Sequence, residues 1–366
     1  MVNILYINPR FLDLLRKILE EDAGYSVSCV YTFHTKNFRD TILNTVRRYF
    51  NVFTNLWKID FNKYDIVHIQ DRYNLPLSLF KKMSSGKTKI VYTCHEGLWL
   101  SSNSIASVMK KSPTRMLEGI SMINSDAVIA LSHDLASRLM RIFPSLHKKI
   151  FVIPNGVDIS FYKLIENPYV RTLRSKFANS EYVVLCVSRW GMEKGIDILI
   201  RAIYRVTVEY DIRNVVFILK LHGNDMHYRN FIINLIKKLK IRNVVILEGF
   251  WSPYRLRILY NIADLFVLPS RYDAFPMTLL EAMACGKPVI GPNYGGPKDM
   301  IMPGINGYTF KMGDEEELAK ILVTSLKDKE KLKNMGKSSR KIAEEYFNWN
   351  IIAHKTLKVY EKILLE

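Results

Sequence analysis

A chain of 366 residues is longer than one ordinary domain needs and suits two, and 48% hydrophobic residues is enough for full cores. Its 53 Lys and Arg against 35 Asp and Glu give a formal charge of +18, so anionic partners are expected: nucleotide phosphates, an anionic membrane surface or nucleic acid. The excess is 22 − 14 = +8 over residues 1–170 and 31 − 21 = +10 over the remainder, so no basic tail accounts for it. Cys29, Cys94, Cys186 and Cys285 form no C-x-x-C pair, which points to free thiols in a reducing cytosol and away from a zinc site. No apolar window approaches the length of a membrane span, and Asn3 and Asn8-Pro9-Arg10 interrupt the N-terminal apolar run. The expectation is a cytoplasmic protein, soluble or peripheral, without a signal peptide.

Residues 2–7 read as a buried strand, 11–21 as a helix and 26–31 as a second strand, the opening of a parallel α/β sheet. Phe38, Ile42, Val46, Tyr49, Phe53, Leu56 and Trp57 then recur at helical spacing, with Arg39, Arg47, Arg48 and Lys58 between them. Such an amphipathic helix packs on the sheet, or rests its basic-aromatic face on an anionic membrane and receives a lipid-linked acceptor. The segment 98–115 (Leu98, Trp99, Leu100, then Lys110, Lys111 and Arg115) is a second candidate for that role. Strands follow at 64–70, 89–94, 126–131 and 150–153. His68 lies inside its strand and reads as a satisfied core or edge residue. His95 directly follows one, and ligands of open parallel sheets bind outside the carboxyl ends of strands. Ser132 is placed to cap the next helix.

A polar stretch with Pro168, residues 163–180, connects to a second α/β half. Its strands are read at 182–187, 215–221, 244–247, 265–268 and 289–290, with helices at 198–208, 231–239, 256–263 and 276–285. Arg189 and Lys194 lie in the loop after the first of these strands. A guanidinium fork and a mobile ammonium there can together neutralise a diphosphate. The helix over 276–285 follows a buried strand and a polar loop, so its first free N–H groups form a natural anion site. Asp273 precedes that helix and Glu281 lies within it, eight positions on. The acidic run 314–317 opens a further helix, and 349–365 is helical by its apolar spacing.

The pattern S-x-x-(E/D)-x-F-x5-E-A-M-A-x-G-x-P-V over residues 270–289 resembles the donor-site signature of the family 4 retaining glycosyltransferases of the GT-B fold. Asp273 stands where that family has its first Glu. Arg189-x4-Lys194-Gly195 resembles the family's R-x4-K-G motif, and Asn155-Gly156-Val157-Asp158 its turn at the end of the first domain. Asn8-Pro9-Arg10 stands where the family has a glycine-rich loop.

The resemblance implies two doubly wound, Rossmann-like domains facing across a cleft. Residues 1–165 would bind the acceptor and 166–345 the nucleotide-diphosphate sugar, with 346–366 a terminal helix crossing back to the first domain. It implies catalytic roles for His95, Arg189, Lys194, Asp273 and Glu281. Arg189, Lys194 and the helix N-terminus would stabilise the departing diphosphate, and Glu281 would accept from ribose hydroxyls. Asp273 with the backbone around Ala274, Phe275, Pro276, Met277 and Thr278 would hold the sugar, which His95 would face. Gly223, Phe250 and Trp251 fall where the family holds the nucleotide, with Phe250 or Trp251 stacking on the base or lying in the core, and Gly295 and Gly296 beside the diphosphate. No metal is expected. The reaction would be a retaining sugar transfer to a lipid-linked or polysaccharide glycan intermediate, with the leaving phosphate itself taking the proton. A silent nucleotide-sugar- or nucleic-acid-binding protein on the same fold is the alternative, although no helix-turn-helix, zinc or RNA-binding signature accompanies the charge.

Overall fold

The computed structural model describes residues 2–7, 20–21, 25–30, 60–70, 87–95, 115–177 and 179–366. The loop Asn8-Pro9-Arg10, all but the last two residues of the helix expected over 11–21, the amphipathic segment 38–58, Glu96-Gly97 and residues 98–114 lie outside the described residues. The chain divides into two compact units, residues 1–156 with Trp349–Glu366, and Val157–Asn348.

In the first unit, strands β1 (Asn3–Ile7), β2 (Ser26–Val30), β3 (Ile66–Ile69), β4 (Lys89–Cys94), β5 (Ala127–Ala130) and β6 (Ile150–Val152) pair in parallel in the order β2-β1-β3-β4-β5-β6. Every residue of β3 and β5 is buried, as in a parallel sheet covered on both faces, and this is why β5 is a continuous apolar run and β3 one broken only by His68. Helices α1 (Arg115–Asn124) and α2 (His133–Ile142) flank β5. The hydroxyl of Ser132 accepts from the N–H of Leu135 at 3.3 Å and caps α2.

The second unit begins with helix α3 (Pro168–Ser175), inside the stretch read from sequence as a polar connector. Asn167 accepts from the N–H of Val170 at 2.8 Å and Pro168 occupies the first turn, so a cap and a pre-set φ offset its weak apolar face. There follow β7 (Tyr182–Arg189), α4 (Ile196–Tyr204), β8 (Val215–His222), α5 (Met226–Lys238), β9 (Val244–Glu248), α6 (Pro253–Ile262), β10 (Leu265–Val267), α7 (Met277–Ala284), β11 (Val289–Pro292), α8 (Gly296–Met300), β12 (Gly307–Phe310), α9 (Glu315–Ser325) and α10 (Lys329–Tyr346). The parallel strand order is β12-β11-β10-β7-β8-β9. From β7 the chain steps outward to β9 and then returns to the other side at β10. The crevice outside the carboxyl ends of β7 and β10 is therefore the topological switch point.

Residues 157–162 are tied to this second unit. Val157 donates its N–H to Phe347 O at 2.8 Å, and Arg340 on α10 donates to Tyr162 O and Ile159 O at 2.7 and 3.1 Å. These bonds place the division at Gly156/Val157, nine residues before the boundary read from sequence.

The last helix, α11 (Trp349–Leu365), packs in the first unit. Among the described residues, half of that unit's buried apolar cluster comes from it: Trp349, Ile352, Ala353, Leu357, Val359, Tyr360 and Ile363, against Ile4, Val27, Ile66, Val91, Ala127, Ile129 and Ile153. Tyr360 also carries a polar tip. Its hydroxyl lies 2.6 Å from Nδ1 of buried His68, whose Nε2 lies 2.7 Å from the Thr93 hydroxyl. Burial, with His95 nearby, pushes the His68 imidazole down to about 3, so it is neutral and satisfied. Tyr360→Ala is expected to cost about 3–5 kcal/mol through lost packing. Tyr360→Phe, which removes only the hydrogen bond, is expected to cost about 1–3 kcal/mol. Urea denaturation of the two variants beside the parent protein checks the difference.

Candidate active site

Two loops meet at the switch point of the second unit, residues 190–195 after β7 and 268–276 after β10. Their approach requires a glycine. Gly195 sits at φ +64°, and a Cβ there would run into the carbonyl oxygen of Pro269. Arg271 then locks the loops together. Its N–H donates to Glu193 O at 2.8 Å, and Nη1 to Met192 O at 2.5 Å. Nη1 and Nη2 form a two-pronged bond to Asp197, at 2.9 and 2.7 Å. Tyr228 on α5 donates its hydroxyl to the same carboxylate at 2.7 Å. Burial raises the Asp197 carboxyl, but the hydrogen bonds from Arg271 and Tyr228 outweigh it and hold the group below its ordinary value.

Within this frame Lys194 Nζ donates to Asp273 Oδ2 at 2.6 Å, and both side chains are largely buried. Asp273 also offers its carbonyl oxygen to the N–H of Gly296 at 2.9 Å. The structure thus brings Lys194, Asp273 and the Gly295-Gly296 turn to one place. A Cβ on Gly296 would lie 2.5 Å from Ala274 O and 2.6 Å from the Phe275 Cα. Ala274, Phe275 and Pro276 are buried, and the Phe275 ring packs on Phe347 at 5.5 Å, so these residues can serve a ligand only through backbone. Met277 and Thr278 open α7, whose N-terminus has no side-chain cap, leaving its first N–H groups for an anion. Arg189 is mostly exposed, 3.6 Å from Glu193.

Glu281 lies in the second turn of α7 and faces tyrosines. Tyr260 on α6 donates to Glu281 Oε2 at 2.7 Å, and Tyr162 bonds the same carboxylate. Burial pushes the Glu281 carboxyl up to about 7, with the two tyrosine hydrogen bonds opposing the rise. Further along the crevice, Gly223 follows β8 at φ +102°. Phe250 is 86% exposed, so it is no core residue, and Trp251 is half-buried. Buried Lys220 of β8 lies 5.2 Å from the Trp251 ring centroid and donates to Gly249 O, fixing the turn that presents both aromatics. His95 immediately follows β4 in the first unit and is half-buried.

Sequence reasoning gave no role to Arg271, Tyr228, Tyr260, Tyr162 or Lys220. Each acts through a partner distant in sequence, so nothing local marks it. Asp197→Asn is expected to cost about 1–3 kcal/mol by breaking the charged clamp. A depressed carboxyl contributes stability that is present above its unfolded value of 3.8 and lost as pH falls through the folded one. The gap between parent and variant in thermal unfolding should therefore be full at neutral pH and close in acid.

The model of the family described as Glycosyltransferase Family 4 matches residues 16–161, and that of Glycosyl transferases group 1 matches 172–342. An uncharacterized glycosyltransferase of Methanocaldococcus jannaschii is 29% identical over 255 residues, 68% of this chain and 63% of that protein. The N-acetyl-alpha-D-glucosaminyl L-malate synthase of Bacillus anthracis is 28% identical over 307 residues, 82% of this chain and 75% of that protein. Among solved structures, the sucrose-phosphate synthase of Thermosynechococcus elongatus superposes with a TM-score of 0.81 at 20% identity, covering 100% of each chain, a likeness of fold.

Proposed function

The chain belongs to the GT-B glycosyltransferases, with a family 4 first half and a group 1 second half, and from that premise we propose a metal-independent transferase that retains anomeric configuration. It takes a nucleotide-diphosphate sugar as donor. The observation that carries the mechanism is the Lys194–Asp273 pair, 2.6 Å apart where the uncapped start of α7 meets the switch point.

In this reading the donor diphosphate lies against Arg189, Lys194 and the first N–H groups of α7. Together these offset the charge that develops as the bond from anomeric carbon to phosphate oxygen breaks. The acceptor oxygen attacks from the face the phosphate leaves, and its proton passes to the departing phosphate oxygen. Asp273, oriented by Lys194, holds a sugar hydroxyl, and the backbone of residues 274–277 holds the rest of the ring. Glu281 receives ribose hydroxyls in place of tyrosine donors, while Phe250 or Trp251 covers the base. From the first unit we assign His95 to the reaction.

The acceptor we favour is a lipid-linked or polysaccharide glycan intermediate, met at the cytoplasmic membrane face. Support for this comes from the basic-aromatic segments 38–58 and 98–115. Among the described residues no helix is long and apolar enough to cross a membrane.

The test is turnover with a panel of UDP-, GDP- and ADP-sugars in EDTA, scored by nucleotide release with and without a mixed lipid extract. Release from one donor should survive EDTA, and should fall at least about a hundredfold in Lys194→Ala and Glu281→Ala. Stimulation by lipid supports the proposed acceptor. Loss of turnover in EDTA that added metal restores overturns the metal-independent reading. Binding without turnover of any donor favours a silent binding protein. Because the Glu281 carboxyl titrates at about 7 and only its ionised form accepts fully from hydroxyls, donor affinity should rise between pH 6 and 8. Glu281→Gln should flatten that rise, as read by isothermal titration with the donor.

A further inference from the structure

The sheet of the second unit also has a cavity at the amino ends of its strands, just before β10 and β11 begin. It is open, with a volume of about 940 Å³, within the range of small-molecule sites. Six cations line it: Lys163, Lys287, Lys329, Lys333, Lys337 and Arg340. Two acids also line it, Asp264 and Glu330, leaving an excess of 6 − 2 = +4. Asp264 is already committed, accepting from the Val183 N–H at 2.8 Å and from Arg174 at 3.1 Å.

The arrangement of these cations is costly without a counter-charge. Lys329, Lys333 and Lys337 recur every fourth residue along one face of α10, and like charges at that spacing repel by about 0.2–0.5 kcal/mol per pair. Among the described residues, the ion pairs on α10 are Arg340–Glu344 and Lys341–Glu345, neither of which neutralises Lys333 or Lys337. Behind them Lys287 is buried at 8% exposure, its ammonium donating to Asn261 O at 3.0 Å. Burial lowers its pKa, a penalty that a bound anion would offset. Leu332 and Pro288 supply apolar wall, where charge pairing is screened less than in open water.

We propose that this cavity is an anion site separate from the donor site, taking a phosphate monoester held by Lys163, Lys333, Lys337 and Lys287. Because all the strands run parallel, it lies at the opposite edge of the sheet from Arg189, Lys194 and Asp273. Its occupant is either a soluble phosphorylated metabolite or the headgroup of a phospholipid, since both present the same dianion.

The full chain is titrated with glycerol 3-phosphate by calorimetry, and co-sedimented with vesicles of phosphatidic acid or of phosphatidylcholine. Variants are Lys333→Glu/Lys337→Glu, its milder form Lys333→Ala/Lys337→Ala, and Lys194→Ala in the donor site, each checked for a native thermal transition. Saturable glycerol 3-phosphate binding should persist in Lys194→Ala, weaken at least about tenfold in the double variants, and weaken with salt. If phosphatidic acid vesicles alone bind in a Lys333- and Lys337-dependent way, the ligand is a headgroup; if the soluble ester binds, it is a free metabolite. No saturable binding of either probe, or binding lost in Lys194→Ala and kept in both double variants, overturns the proposal. The readout is binding and not turnover, so its failure is distinguishable from failure of the transferase reading.

Discussion

Arg271 reaches from the loop after β10 and closes a two-pronged hydrogen bond on Asp197 in the first turn of α4, and the candidate site takes its shape from that clamp. Only one 3-10 turn, Met192–Lys194, gives either loop regular structure. What fixes them is a planar guanidinium matched to a carboxylate, backed by the Tyr228 hydroxyl and by two further donations from Arg271 to backbone oxygens. Asp197 also suits its place at a helix start, where negative charge complements the dipole. The close approach this permits is what excludes a side chain at Gly195 and sets Lys194 beside Asp273.

The electrostatics inside the clamp are more balanced than the composition of the chain suggests. Lys194 is neutralised by Asp273, and Arg189 has Glu193 within 3.6 Å. The field at the candidate site is therefore that of the uncapped α7 amides and a mostly exposed guanidinium, together with an ammonium held in fixed orientation. Glu281 adds a carboxyl that titrates near neutrality because it is sheltered, with Tyr260 and Tyr162 as its hydrogen-bond donors. A ligand hydroxyl that replaces a tyrosine there exchanges one donor for another and leaves no orphaned charge.

The two parallel sheets were legible in the sequence because strands buried on both faces are written as near-continuous apolar runs, such as those of β4, β7 and, apart from Lys220, β8. Helix α3 escaped because its signals are a cap and a proline in a polar setting. Helix α10 escaped because its buried face uses Gly336, Ser339 and Ala343 beside Leu332, Met335 and Ile342. Gly336 is small for a reason that only the fold shows: a Cβ there would collide with the carbonyl of Gly286. At the candidate site, Arg189, Lys194, Asp273 and Glu281 were singled out because each lies in a local motif that resembles the family's. Arg271 with Asp197, and Glu281 with Tyr260, are separated by 74 and 21 residues and become partners only through the strand order. The same holds for the role of α11, whose amphipathic spacing was plain but whose bond from Tyr360 to His68 spans 292 residues.

The strong positive charge of the chain consequently needs a source other than catalysis. At the carboxyl edge of the second sheet the basic side chains are largely answered by acids a few ångströms away. At the amino edge the balance is incomplete, for the lysine row of α10 lines a cavity with two acids, of which Asp264 already serves Arg174. Folding has gathered like charges there although spacing them around the helix would have lowered their repulsion. A cluster that raises the energy of the empty protein is one that an anion can stabilise, and the two residues just before β11, Lys287 and Pro288, supply its buried charge and part of its apolar wall. Helix α7 runs between the two ends of the sheet: its uncapped start lies at the candidate active site, and its Ala284 carbonyl is held by Arg340 at the other end.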